Sequence, residues 1–250
     1  MIFLKSEDEI AKMRQAGRIV AGTIDRVVAA VRPGITTADL DRVAEEYIRE
    51  RGATPSFLGY RGFPASICAS VNDEVVHGIP SPERKLAEGD VLSLDFGAIW
   101  EGFHADSAVT VFVGEPPGAE AEKLVRVTEE SLEAAISEIR EGARLGDVGH
   151  AVQQVVEGAG FSVVREYVGH GIGRSLHEDP QIPNYGQPGK GLPLKRGMVV
   201  AVEPMVNMGD WPTRPLADGW TVVTADGSLS AHFEHTIALT VNGPEVLTAR

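Results

Sequence analysis

The sequence has one cysteine, few aromatic residues and no long hydrophobic run. A single cysteine, Cys68, excludes an internal disulfide and is typical of a reducing compartment. No apolar run approaches the length that crosses a bilayer, and the opening MIFLKSEDEI has too short an apolar stretch for a signal peptide. Basic residues are outnumbered 23 to 36, which argues against nucleic acid as the main partner. We therefore expect a cytoplasmic protein that has no membrane partner and does not take nucleic acid as its substrate.

Hydrophobic periodicity predicts four helices along the 250 residues. Ser6 and Glu9 form a capping box before the first helix, and a second helix spans roughly residues 37–51. Two more helices are predicted at about 120–140 and 146–157. Strand-like segments follow each pair, so the order is helix, helix, strands, and then the same again.

Residues 108 positions apart match at several landmarks, which indicates an internal duplication. VRPGITTADL (31–40) overlays IREGARLGDV (139–148), so that Gly34 aligns with Gly142 and Asp39 with Asp147. Gly52 likewise meets Gly160, and LAEGDVLSLD (86–95) overlays LKRGMVVAVE (194–203), so that Asp95 meets Glu203. We expect one catalytic domain, 1–250, with related halves at roughly 1–115 and 116–250.

Two aspartates lie in neighbouring apolar runs that read as one β-hairpin. The runs VLSLDF and AVTVFV contain or flank Asp95 and Asp106 and are joined by a segment with two glycines. Pairing about a centre between Trp100 and Glu101 would set the two aspartates directly opposite each other on one face. Facing carboxylates repel, so burial requires either a steeply raised pKa or a cation between them.

The duplication predicts a second acidic pair, Glu203 with Glu234 from the strand that follows. If the two half-sites face each other, four carboxylates meet, and two divalent cations would balance their charge in a dinuclear site. The expected additional ligand is an imidazole. Among seven histidines His170 stands out, because it lies in VGHGIG with glycines on both sides that allow close approach. The alternative is that His170 is a hydrogen-bonded turn residue.

The motifs DFG, HAD, GHGIG, EP and EHT, taken in order, resemble the type I methionine aminopeptidases, and the resemblance covers nearly the whole chain, from LKSEDEIAKMRQAG to SLSAHFEHTIALT. It implies an α+β pita-bread fold, in which duplicated helix-helix-strand halves related by a pseudo-two-fold axis surround a curved, mainly antiparallel sheet. It also implies a dinuclear metal centre whose ligands match five positions here: Asp95, Asp106, His170, Glu203 and Glu234. The metals expected are Co, Mn, Fe or Zn.

The same resemblance implies the reaction, which is removal of the initiator methionine from nascent proteins and peptides when the next residue is small. Hydroxide activated by the two metals would attack the first peptide bond, with Glu203 as general base. His177 would stabilise the oxyanion, and His77 would hydrogen-bond the scissile nitrogen. His77 and His177 taken alone would be structural residues near proline-rich loops.

The methionine pocket implied by the resemblance is lined by Tyr60, Phe63, Cys68 and Trp220, together with the two substrate-facing histidines. Phe57 stands where some relatives have cysteine, and Leu176 where many have phenylalanine, so the edge of the pocket should differ in shape. Asn72 and Ser230 match positions that in some relatives help bind a monovalent cation; core or loop packing is the alternative for all of these residues. We further expect a monomer, with ribosome contact of at most a transient kind.

Two other functions stay open at this point. Prolidases and proline aminopeptidases share the five ligands, but they usually carry a large N-terminal domain, whereas here the first helix begins almost at once. The other is a pita-bread protein that binds nascent chains without catalysis. Such proteins generally lose metal ligands, and all five are present here.

Overall fold

The computed structural model describes all residues, 1–250. Its α-helices are α1 (Glu7–Val28), α2 (Thr37–Glu50), α3 (Ala119–Ser137) and α4 (Leu145–Gly158). Its strands are β1 (Thr54–Pro55), β2 (Ile67–Val71), β3 (Glu74–Val76), β4 (Val91–Trp100), β5 (Phe103–Phe112), β6 (Ser162–Val163), β7 (Gly169–Gly171), β8 (Glu178–Ile182), β9 (Val199–Val202), β10 (Met205–Asn207), β11 (Thr213–Pro215), β12 (Val222–Thr224), β13 (Ser230–His232), β14 (His235–Thr240) and β15 (Gly243–Val246). None of the helices has the length and apolar character of a membrane span.

All four predicted helices form, with ends that differ by a few residues from the sequence-based bounds. At α1 the capping box is complete: Ser6 Oγ accepts from the backbone N–H of Glu9, and the Glu9 side chain accepts from the backbone N–H of Ser6. The helix buries one face that includes Ile10, Met13 and Ile24. Sequence periodicity therefore identified both the existence and the inward face of this helix.

Every strand pair is antiparallel, which agrees with the expected α+β, mainly antiparallel architecture. One sheet joins β1, β4, β2 and β5, and its counterpart in the second half has the order β15-β14-β9-β7-β8. Two three-stranded sheets, β13-β10-β6 and β11-β12-β3, complete the structure. The helices and the two larger sheets enclose one large hydrophobic cluster of 43 buried residues, which contains residues from both halves of the chain.

The hairpin register differs from the sequence-based prediction. Strands β4 and β5 pair Trp100 with Phe103, so the turn consists of Glu101 and Gly102 and the centre lies one residue later than expected. Both turn residues have positive φ, 47° and 80°, as a two-residue turn matched to strand twist requires. The prediction that Asp95 directly opposes Asp106 is therefore wrong: Asp95 pairs with Ala108, and Asp106 pairs with Gly97.

The two halves of the chain join along β5 and the segment 230–236. Glu234 N–H donates to the carbonyl of Ala108 at 3.0 Å, and Ala108 N–H donates to the carbonyl of Glu234 at 3.3 Å. On either side of this pair a buried threonine hydroxyl bonds the backbone of the opposite half: Thr110 contacts His232, and Thr236 contacts Asp106. This joint fixes the acidic residues of the two halves relative to one another.

Candidate metal centre and substrate cavity

The five residues expected to bind metal come from five separate segments of the chain and line one cavity. Asp95 lies in β4, Asp106 in β5 and His170 in β7. Glu203 directly follows β9, and Glu234 lies between β13 and β14. Only the antiparallel sheets and the joint between the halves bring these segments together, because the residues are up to 139 positions apart.

Asp95 and Asp106 share one sheet face despite the shifted register. Side chains alternate between faces along a strand, and the positions opposite each aspartate are offset by two residues. The two carboxylates are therefore diagonal neighbours, at a separation that side chains can bridge. The expected proximity holds although the direct opposition does not.

His170 points its Nε2 atom toward the carboxylates. Its Nδ1 lies 2.9 Å from the carbonyl oxygen of Gly171, and since a carbonyl only accepts, Nδ1 carries the proton. Nε2 is thereby free to act as a ligand; it lies 3.6 Å from Glu203 Oε1 and 4.0 Å from Asp106 Oδ2. A carbonyl that fixes the tautomer in this way is the usual support of a metal-binding histidine.

Glycines on both sides of His170 allow this placement. A Cβ atom at Gly169 would collide with the carbonyl oxygen of Ala201, and a Cβ atom at Gly171 would collide with that of Asp179. Strand β7 can therefore lie between β9 and β8 only because these two residues lack side chains. The close approach that glycines permit around His170 is therefore an approach of neighbouring backbones.

The four carboxylates strongly perturb one another. Burial raises the pKa of Asp95 to about 7, although bonds from Asp106 and from the Phe96 N–H lower it in part. Burial, followed by the neighbouring carboxylates, raises the pKa of Asp106, Glu203 and Glu234 well above the usual values. Burial, followed by His177, lowers the pKa of His170 to about 3, so its imidazole is neutral and able to bind a metal near pH 7.

A divalent cation site fits this donor set. Asp106, His170 and Glu234 each present a ligand atom, and these atoms lie within 4.8 Å of one another in buried surroundings. Asp95 Oδ1, Asp106 Oδ1 and Glu234 Oε1 are buried and have no hydrogen-bond partner. These three oxygens receive no hydrogen bond from the protein, and burying them in this state is costly. Bound cations beside the neutral imidazole would stabilise them.

Two further histidines line the same cavity. His77 follows β3 with φ of 62°, a conformation that a non-glycine residue adopts at a cost. Burial lowers its pKa to about 4. His177 lies next to His170, with ring centroids 4.1 Å apart, and its Nδ1 is 2.9 Å from the Tyr60 hydroxyl.

The expected methionine pocket is contiguous with the acidic cluster. Tyr60, Phe63, Cys68 and Trp220 all line the cavity, and Trp220 packs edge-on against Phe63 at 5.1 Å between centroids. Both positions where this sequence departs from the resemblance, Phe57 and Leu176, also lie on this wall and are buried. Burial raises the pKa of the Cys68 thiol, which behaves here as an apolar wall residue.

Sequence reasoning gave no role to three residues that border the site. Arg61 lines the cavity, and His232 is buried with its Nε2 3.8 Å from Glu203 Oε2. His104 is buried and bonds Ser56 through Nδ1 at 3.0 Å. The signal for His232 and His104 was strand alternation, since each lies two residues from a proposed ligand and thus on the same face.

Other sequence-based expectations concern residues outside the cavity. His235 points to the opposite face, as expected, and its Nδ1 lies 2.8 Å from Thr248 Oγ1. Asn72 and Ser230, the candidates for a monovalent cation, are neighbours: the Ser230 N–H donates to the Asn72 carbonyl at 2.9 Å. The Asn72 amide is also bonded, to Asp90 and to the Val91 N–H.

Comparison with known proteins places this cavity in a family. Residues 11–241 match the sequence profile of metallopeptidase family M24. The chain belongs to this family. It is 56% identical to a methionine aminopeptidase of Clostridium perfringens over 99% of both chains. The crystal structure of methionine aminopeptidase from Thermotoga maritima superposes with a TM-score of 0.98 at 51% identity, covering 100% of both chains.

Proline-directed members of family M24 share the fold. A prolidase from Pyrococcus furiosus superposes with a TM-score of 0.79 at 20% identity, and the match covers 99% of this chain and 65% of the prolidase. This likeness concerns the fold alone. The comparisons confirm the pita-bread fold expected from the resemblance, and family membership together with the buried cluster identifies a divalent-metal-dependent peptidase.

Proposed function

We propose that this protein is a methionyl aminopeptidase that removes the N-terminal methionine of nascent proteins and peptides when the next residue is small. The observation that carries the proposal is the shared cavity: an acidic cluster with one neutral imidazole lies directly beside an apolar wall. Full-length relatives at about half identity are named for the same activity. We also propose that residues 1–250 form one catalytic domain with two related halves.

Asp95, Asp106, His170, Glu203 and Glu234 would hold two divalent cations. When bound, such a pair supplies Lewis acidity toward the scissile carbonyl and a water that loses its proton near neutral pH. The donor set of carboxylates with one imidazole admits Co, Mn, Fe or Zn. Support comes from the three unpartnered carboxylate oxygens and from the neutral state of His170.

Glu203 is the proposed general base. Its side chain is 14% exposed, so it reaches the cavity as well as the buried cluster, whereas Asp106 and Glu234 are almost fully buried. Burial and the charge of Asp95 raise its pKa in the metal-free protein. Bound cations would favour the ionised carboxylate, which is the form that can accept a proton. It would accept a proton from the attacking water and later pass it toward the leaving amine.

His77 and His177 are the proposed substrate-facing pair. Burial lowers the pKa of both imidazoles, so near pH 7 each is neutral and has one N–H to donate. His177 would donate to the oxygen of the scissile carbonyl, and His77 would hydrogen-bond the scissile nitrogen. The α-amine of the substrate would lie beside Asp95, which restricts cleavage to the first residue.

Tyr60, Phe63, Cys68 and Trp220 would contact the methionine side chain. An unbranched thioether fits an apolar wall without needing hydrogen bonds. Phe57 and Leu176 complete the rim, and their sizes would set how far the pocket admits branched side chains. The position after methionine would be restricted to small residues by the narrow space beside the cations.

We infer that the protein acts in the cytoplasm as a monomer on newly made chains, with transient ribosome contact. A monovalent cation near Asn72 and Ser230 would stabilise the loops that those residues join. The runner-up activity is release of a residue that precedes proline, because members of the family with that activity share the fold.

Peptide hydrolysis with defined metals tests the proposal. The purified protein is treated with a chelator, reloaded separately with each of the four metals, and assayed on Met-Ala-Ser and on X-Pro peptides. Free methionine from the first peptide alone is the expected result, and metal analysis should give two ions per chain. The absence of methionine with every metal would overturn the proposal, and release of X from X-Pro would favour the runner-up.

A further inference from the structure

Tyr60 contacts His177 in two ways. Its hydroxyl oxygen lies 2.9 Å from His177 Nδ1, and the two rings stack with centroids 5.3 Å apart and planes 18° from parallel. A residue that served only as an apolar wall would need neither the hydroxyl nor this alignment. The hydroxyl therefore requires an explanation that the methionine pocket does not provide.

The direction of this hydrogen bond decides where the His177 proton resides. A neutral imidazole carries one N–H and one lone pair, on either nitrogen. A phenolic O–H is a better donor than a neutral imidazole N–H, and an imidazole nitrogen is a better acceptor than a phenolic oxygen. With Tyr60 donating, Nδ1 accepts and the His177 proton lies on Nε2.

The ring of His177 borders the site, with Nε2 as the nitrogen that does not face Tyr60. Nδ1 faces Tyr60, so Nε2 lies on the far side of the ring, and the ring itself packs at 4.1 Å between centroids against His170. His177 also lines the cavity that contains Glu203. The other tautomer would place a lone pair at Nε2, which repels the oxygen of a carbonyl under attack.

Local backbone conformation holds Tyr60 in place. Tyr60 begins a one-turn 3-10 helix, Tyr60–Gly62. Gly59, which precedes this helix, and Gly62, which ends it, have φ of 82° and 89°. Arg61 also has positive φ, 49°, which costs a non-glycine side chain conformational energy. Its guanidinium lies over the Tyr60 ring, 5.3 Å from the centroid.

We propose that Tyr60 is a positioning residue: its hydroxyl donates to Nδ1 of His177 and so fixes the tautomer whose Nε2–H faces the scissile carbonyl. This inference rests on the role proposed for His177. It assigns to Tyr60 a part in the chemical step, beyond any contact with the methionine side chain. The alternative is that Tyr60 contributes only to the pocket wall.

Nitrogen NMR of histidine-labelled protein tests the tautomer directly. Zinc-loaded protein is suitable because zinc is diamagnetic, and the His177 signals are identified by their loss in His177→Ala. In the unsubstituted protein Nδ1 should show the shift of a nitrogen without a proton and Nε2 that of a protonated one. In Tyr60→Phe the two shifts should move toward each other as the tautomers mix, whereas Tyr47→Phe, which removes a hydroxyl on α2, should change neither.

Kinetics provide the second test, with each protein assayed on Met-Ala-Ser. Tyr60→Phe keeps the ring, so KM should change less than twofold, while kcat should fall roughly five- to tenfold, as loss of one hydrogen bond implies. In a double-mutant cycle with His177→Ala, the Tyr60 substitution should have no further effect, because Tyr60 acts through His177.

Three results would overturn the inference: unchanged His177 shifts in Tyr60→Phe, an increase in KM with kcat retained, or additive losses in the cycle. Failure of the role proposed for His177 is distinguishable, since His177→Ala would then keep full activity. The NMR comparison would in that case still show whether Tyr60 sets the tautomer.

Discussion

The two halves of the chain, 1–115 and 116–250, agree in backbone but differ in chemistry. Helices α2 and α4 begin and end 108 residues apart, as do the short strands β1 and β6. Gly34 and Gly142 have φ of 85° and 87°, and the isolated bridge between Thr36 and Lys85 corresponds to that between Arg144 and Pro193. Turns and helix starts therefore kept the same geometry at one constant offset.

The acidic residues do not all keep that offset. Glu203 follows Asp95 by 108 positions. Across the joint, however, Asp106 corresponds to His232, because the backbone N–H of each donates to a threonine hydroxyl of the opposite half. Glu234 instead corresponds to Ala108. His170 pairs with Ala201 in the second half, and the corresponding pair in the first half is Ser70 with Ser93. The counterpart of His170 is therefore a serine. Under the proposed duplication, the repeated backbone would provide equivalent positions in the two halves, and the proposed ligands occupy different ones in each half.

Single substitutions of Asp95 and of Glu203 should give the largest loss of activity. They test whether these two residues, 108 positions apart, have different roles. We expect Glu203→Gln to remain folded and to lose turnover by about 10²- to 10⁴-fold, because a general base is removed. Asp95→Asn should lose bound metal first, so that added metal partly restores its activity. Metal analysis and kcat on Met-Ala-Ser measure both, and full activity in Glu203→Gln would contradict the assignment of the base.

Substituting the two threonines at the joint compares the side that positions Asp106 with the side that positions His232. Thr110→Val and Thr236→Val each leave a buried backbone N–H without its partner, so each should lower the free energy of unfolding by about 2 kcal/mol. Only Thr236 holds the backbone of Asp106, so only Thr236→Val should also weaken metal binding. Urea unfolding and metal titration test this. Equal metal affinity in the two variants would argue against a role of the joint in placing Asp106.

The pH dependence of the metal-free protein tests the crowding of the four buried carboxylates. An acid whose folded pKa is raised stabilises the fold at low pH, and this contribution is lost as pH rises toward the folded pKa. Buried histidines with lowered pKa, such as His77 and His170, act in the opposite direction, but mainly below about pH 7.5, because above it an unfolded imidazole retains less than about a tenth of its proton.

Above about pH 7.5 the four carboxylates account for most of the difference in protonation between the folded and unfolded states. Because Asp106, Glu203 and Glu234 keep protons in the folded protein that the unfolded chain has already lost, the stability of the metal-free protein should fall between about pH 7.5 and 8.5. Added divalent metal should remove this fall, because bound cations favour the ionised carboxylates. Thermal unfolding with and without metal measures it, and a rise in metal-free stability over this range would contradict the crowded-carboxylate arrangement.

The turn glycines give the smallest expected effect and test the agreement between the halves. A Cβ atom at Gly34 or Gly142 would meet nothing within 4 Å. The only cost of alanine at either position is therefore the strain of the left-handed backbone conformation. Each substitution should destabilise by about 1 to 2 kcal/mol, without loss of activity. Chemical unfolding of the two single variants gives the comparison. A large difference between them would show that the two turns are not equivalent.

Local sequence signals were sufficient for the elements but not for their register. Periodicity and caps predicted all four helices, and the glycine positions located the turns. The hairpin centre was missed by one residue, because apolar alternation on both sides of Trp100 fits either turn and only the positive φ at Glu101 and Gly102 distinguishes them. Since the register moved by two positions on one strand relative to the other, Asp95 and Asp106 stayed on the same face.

The sequence by itself determined which residue types were present for a metal-dependent peptidase and on which strand faces they lie. It could not determine the contacts between the halves, because Thr110 with His232 and Thr236 with Asp106 join residues more than 120 positions apart. The hydrogen bond between Tyr60 and His177 likewise depends on two loops that meet only in the folded chain. Periodicity reports local conformation, whereas these contacts depend on how the sheets pack across the joint.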